Sequence, residues 1–100
     1  MKFVQMIEFH TSRIDEFNAL MDEWTSSVDG QADVPIRVME CADRDTPGAF
    51  IQVVEFASYE AAMRNSAKPE TGKFAERLAQ LCEGEASFRN LDLTREESPA

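Results

Sequence analysis

The chain has 100 residues, 19 acids against ten bases and a formal charge of −9, with only four glycines and four prolines. That length allows one compact domain, and a hydrophobic share of 43% reads as globular rather than disordered. So acidic a balance disfavours nucleic acid and anionic membrane as partners, and no apolar run approaches the roughly 20 residues that span a bilayer. Cys41 and Cys82 form neither a CxxC motif nor a disulfide framework. With no signal-peptide pattern at the start, they lead to the expectation of a cytoplasmic protein.

Phe3 to Phe9 reads as a strand, with apolar side chains at both odd and even positions, so both of its faces are expected to be covered. Ser12 is expected to cap a helix, with Asp15 three residues on. Ile14, Phe17, Met21, Trp24 and Val28 then follow at spacings of three and four, one helical stripe closed by Asp29-Gly30. A second strand is read from about Val34 to Ala42. Asp45-Thr46-Pro47-Gly48 has the residues of a type II turn, and Ala49 to Ala57 returns as a hairpin partner. Ser58 can cap a short helix through about Asn65, and Pro69 suits the first turn of the next. In that helix Phe74, Leu78 and Leu81 form the buried stripe, and Gly84 stops it. Glu85 to Leu93 is the last strand. One domain over residues 1–94 and a polar tail over 95–100 are expected.

The order β-α-β-β-α-β is the split βαβ, or ferredoxin-like, arrangement of an α+β fold with a four-stranded antiparallel sheet. Its helices cover one face, and the apolar residues on the other call for a partner surface. A second copy of the chain is the simplest, making a homodimer through the sheet face.

Element order and two-faced strands make the chain resemble the dimeric α+β barrel superfamily, in which two such sheets pack face to face. Asn65-Ser66-Ala67-Lys68-Pro69-Glu70-Thr71-Gly72-Lys73-Phe74 and Phe88-Arg89-Asn90-Leu91-Asp92 look like its small uncharacterised bacterial members. The resemblance spans residues 2–94 and extends to the antibiotic-biosynthesis-monooxygenase-like proteins. Some of those oxidise quinol-type substrates without metal or flavin. It implies a dimeric barrel, no cofactor and a pocket for a small aromatic or polyketide-like metabolite. No catalytic set can be carried over residue by residue.

The residues themselves leave each role open. His10, the only histidine, is a candidate base or proton shuttle, or a strand-end side chain bonded to a neighbour or water. Tyr59, which follows a cap, is a candidate hydroxyl donor and pocket wall, or a packed residue whose hydroxyl needs a partner if buried. Arg37 alternates against Ile36 and Val38 and either binds an oxyanion or pairs with an acid. Trp24 is a ligand wall or part of its helix's core stripe. Met39 and Phe56 are candidate lining residues, or core. No ligand spacing for a metal is present, and an oxygen site from Glu8, Glu40 and Glu55 depends on their sharing a face. Cys41 and Cys82 read as small core residues. Two functions remain: a cofactor-free monooxygenase-like enzyme with His10, Tyr59 and Arg37 as its catalytic groups, or a non-enzymatic ligand-binding or structural dimer.

Overall fold

The computed structural model describes residues 1–100. The elements run β1 (Phe3–His10), α1 (Ile14–Ser27), β2 (Arg37–Ala42), β3 (Ala49–Phe56), α2 (Tyr59–Ser66), α3 (Pro69–Gln80) and β4 (Ser87–Asp92). The strands form one antiparallel sheet in the order β2-β3-β1-β4, so the fold is the expected ferredoxin-like α+β type. The expected barrel is not there. β2 and β4 are the outer strands and do not pair with each other, so the sheet stays open.

Register divides the side chains cleanly. Phe3, Gln5, Ile7 and Phe9 of β1 stand opposite Phe56, Val54, Gln52 and Phe50 of β3. Val38 of β2 and Phe88 of β4 join them, opposite Val54 and Ile7, and together these residues make the face beneath the helices. Val4, Met6, Met39, Ile51, Val53 and Leu91 occupy the other face, which no helix covers.

Two aromatic clusters anchor the covered face. Phe3, Val54, Phe56 and Ala62 pack together with Ile7 against them. Phe9 stacks between Phe17 of α1, at a centroid distance of 4.5 Å, and Phe50, at 5.6 Å. Each buried phenylalanine contributes roughly 1.5–3 kcal/mol of transfer free energy. Only 14 of the 100 residues are buried, and none of them lies on α3. The stripe of Phe74 and Leu78 is therefore half-covered, because α3 rests on the rim of a void rather than on filled core.

The turn Thr46-Pro47-Gly48-Ala49 forms as its residues dictate: Gly48 has φ +87 and Ala49 donates to the Thr46 carbonyl at 3.1 Å. Ser58 caps α2, its hydroxyl accepting from the Ala61 amide at 3.0 Å. At α1 the cap differs from expectation. Arg13 occupies the cap position without a side-chain bond, and the Thr11 hydroxyl accepts the Arg13 amide at 2.9 Å. β2 begins at Arg37 rather than Val34, since Pro35 has no amide to donate, although Ile36 already bonds the Glu55 carbonyl at 2.8 Å. β4 begins at Ser87, two residues later than expected, once the chain has passed Gly84 at φ +74. No helix is long and apolar enough to cross a membrane.

Candidate functional site

Between the covered face and the helices lies a cavity of about 640 Å³, within the roughly 300–1,000 Å³ range of small-molecule sites. Sixteen of its 25 lining residues are hydrophobic, and both aromatic clusters contribute walls. Trp24 and Phe74 close it toward α1 and α3, their rings stacked 4.8 Å apart and within 10° of parallel. The same pair floors a smaller outer cleft of about 330 Å³ between the two helices, edged by Glu23 and Arg77.

Three residues that line this cavity each carry a buried polar atom with no hydrogen-bond partner in the protein: Nε1 of Trp24, Nε2 of Gln52 and Oδ1 of Asn65. Gln52 and Asn65 are only 5% and 6% exposed. A buried unpaired donor or acceptor costs about 1–3 kcal/mol, so three around one void are an unusual concentration of unmet bonding capacity. Two donors and an acceptor in an apolar chamber suit a neutral, flat ligand bearing a carbonyl or hydroxyl.

The residues singled out by sequence fall into separate places. Trp24 and Phe56 line the cavity. Met39 lies on the uncovered face and is 42% exposed. Arg37 is on that face too, 3.7 Å from the Glu55 carboxylate, so it meets an acid there and does not line the cavity. His10 is exposed at the far end of β1, where its carbonyl accepts the Glu83 amide at 2.7 Å. Since His10 pairs with Ala49 and Arg37 with Glu55, the two stand at opposite ends of β3. Tyr59 is half-exposed and meets the edge of Phe3, with ring centroids 5.3 Å apart. Glu40 faces the helices and accepts from Asn18 at 3.0 Å, while Glu8 and Glu55 face the other way. Those three acids therefore share no site.

Cys41 is exposed, contrary to the core reading, because β2 is an edge strand with nothing over that face. Cys82 lines the cavity, its thiol donating to the Leu78 carbonyl at 3.4 Å. Burial pushes that thiol up from its ordinary range, which keeps it protonated and a poor nucleophile.

The sequence reading missed Gln52 and Asn65, though a signal was there. Gln52 alternates with Val54 and Phe56 on the apolar parity of β3, and Asn65 falls three and four residues after the buried Ala62 and Ala61 on α2. An uncharged amide on an otherwise apolar face needs a partner that the core around it does not supply.

No protein-family model and no curated protein matches the sequence. Solved structures do match in fold. SnoaB, a cofactor-independent oxygenase from Streptomyces nogalater, superposes with a TM-score of 0.78 at 14% identity, over 95% of each chain. An antibiotic biosynthesis monooxygenase gives 0.71 at 17% identity, over 95% of this chain and all of that one. A protein of Mycobacterium tuberculosis gives 0.75 at 14% identity, over 98% of this chain and 100% of its own. At such identities the likeness is one of fold alone.

Proposed function

We propose that the protein is a cofactor-independent oxygenase whose substrate is a flat, enolisable aromatic ketone or phenol of the polyketide kind, bound in the cavity between sheet and helices. The observation that carries this reading is that three residues lining one apolar chamber, Trp24, Gln52 and Asn65, each hold a buried polar atom without a partner in the protein. The fold shared with SnoaB and a monooxygenase adds support. A substrate that forms a stable carbanion can itself supply electrons to dioxygen. What the protein must then provide is a dry site, a fixed orientation and hydrogen bonds to the oxygen where charge develops.

Trp24 Nε1 and Gln52 Nε2 are the donors available for that oxygen, and Asn65 can orient a hydroxyl. Phe56 and the Trp24–Phe74 stack flank a planar ring system. In this proposal His10, Arg37 and Tyr59 act outside the cavity, and Met39 belongs to a contact surface. That surface is the uncovered sheet face, and we propose that a second copy of the chain occupies it. Its support is the run of aliphatic and methionine side chains across all four strands on a face that no helix covers.

Anthrone tests the oxygenase reading. This three-ring ketone and dioxygen give anthraquinone and water in equal amounts. The expected result is oxygen uptake matching anthraquinone formation, with Gln52→Leu, which removes a donor proposed for the enolate oxygen, lowering kcat/KM at least tenfold, toward the loss typical of a removed transition-state hydrogen bond. A wild-type rate equal to that in buffer would overturn it. Tight binding of anthrone without turnover would make the protein a ligand-binding module instead.

A further inference from the structure

Oxidation of such a substrate has to begin with loss of a proton, and the cavity is almost devoid of groups that could take one. Among its 25 lining residues the one charged side chain is Glu85. The other group there that titrates, Cys82, is held protonated by burial and bonded to Leu78. β1 presents Gln5, Ile7 and Phe9 to the chamber, and β4 presents Phe88, none of which exchanges protons near neutrality.

Glu85 is neither paired nor left to chance. It enters no ion pair or side-chain hydrogen bond, so its carboxylate is free to accept. The turn that delivers it is fixed on both sides. Gly84 at φ +74 reverses the chain after α3, and the Glu83 amide is bonded to the His10 carbonyl at 2.7 Å. The other charges on the elements around the cavity are Glu83, exposed and adjacent, Glu40 on the covered face of β2, bonded to Asn18, Asp92 at the far end of β4 opposite Phe3, and Glu70, Lys73 and Arg77 of α3, which line the outer cleft. Arg89, opposite Met6, faces away.

We propose that Glu85 is the proton acceptor of the cavity, a catalytic residue that deprotonates the bound aromatic and later returns the proton. The inference rests on the oxygenase reading. With anthrone, the carboxylate takes one proton from the methylene carbon and the electron pair moves onto the ketone oxygen. The enolate passes one electron to dioxygen, and radical and superoxide combine to form a carbon–oxygen bond. The resulting peroxide anion recovers the proton from Glu85. Loss of the remaining hydrogen on that carbon, with cleavage of the O–O bond, releases water and leaves the second ketone.

The test compares wild type with Glu85→Gln and Glu85→Asp. Their turnover of anthrone is followed against pH, and 7-hydroxycoumarin, a flat phenol whose ionisation is seen by absorbance, is titrated while bound. Glu85 is exposed, so neither variant removes packing. The expected result is an approximately 100-fold loss of kcat/KM in Glu85→Gln, the lower end of general-base contributions, with the acidic limb of the profile gone and part of the rate restored by Asp. The bound coumarin hydroxyl should also ionise at lower pH in Glu85→Gln, because the wild-type carboxylate opposes a neighbouring phenolate. Unchanged turnover, or identical coumarin titrations in the two proteins, overturns the role of Glu85 and leaves the cavity reading intact. Failure of the wild type to bind either compound overturns both.

Discussion

The two faces of the sheet are built from the same four strands yet follow different rules. Beneath the helices large rings and carboxamides are set among the aliphatics: Phe3, Phe9, Phe50 and Phe56, with Gln5 and Gln52, beside Ile7, Val38 and Val54. On the uncovered face they are short aliphatics and methionines interrupted by Glu8, His10, Arg37, Glu55 and Arg89. Large rings hold helices away from a sheet and leave a void, while amides give that void directional bonds without charge. Compact aliphatics make a surface another surface can lie on, and scattered charges fix how it lies there.

The largest expected effect separates the faces completely. Val53→Asp puts a charge at the centre of the uncovered face, opposite Met6 and Met39. Native mass spectrometry should show twice the 11.3 kDa chain for the wild type and the single chain for the variant, with cavity binding retained. A wild-type monomer would remove the distinction, and with it the second copy.

A smaller effect comes from the covered face. Gln52→Leu replaces an amide with an unmet donor by an apolar side chain of similar volume, so stability should rise by about 1 kcal/mol in urea unfolding. Ligand affinity should fall at least tenfold in the same protein. Opposite signs in stability and binding mark a residue kept for its ligand, whereas parallel losses would mark it as structural.

The smallest effect lies outside both faces. Arg64 donates to both oxygens of Asp33, at 3.0 and 2.9 Å, and this hydrogen bonding holds the Asp33 carboxyl below its ordinary range. A lowered carboxylate contributes stability above its unfolded value, about 3.9, and loses that contribution as pH falls through the lower folded value. Asp33→Asn tolerates the same left-handed backbone, φ 66, without the charge. The difference in urea midpoint between wild type and Asp33→Asn should therefore be constant near neutrality and shrink below about pH 4. A difference that persists at low pH would trace to backbone shape instead.

The sequence made local structure legible where one residue type leaves one option. The Ile14–Val28 stripe admits only a helix with that buried face, and Pro47-Gly48 admits few turns. That the sheet stays open, against the expected barrel, was not legible, because closure depends on whether β2 and β4 reach each other, which no local pattern encodes. Site residues were legible when they were also hydrophobic, as with Trp24 and Phe56. His10, Tyr59 and Arg37 drew notice for their chemistry, and the fold sets them apart, His10 and Arg37 at opposite ends of the uncovered face and Tyr59 at the start of α2. Gln52, Asn65 and Glu85 drew none, since an amide or acid gains meaning only from the void beside it.

Thr11 shows how little of that rim is left to the ligand to arrange. Its amide donates to the Gly48 carbonyl at 2.9 Å, and its hydroxyl accepts from Arg13 and donates to the Leu81 carbonyl at 2.6 Å. One buried residue thus fastens the start of α1, the β2–β3 turn and the end of α3, just before the segment that carries Cys82, Gly84 and Glu85. The conformational entropy of that end of the cavity is spent when the chain folds, so an incoming molecule meets walls already set.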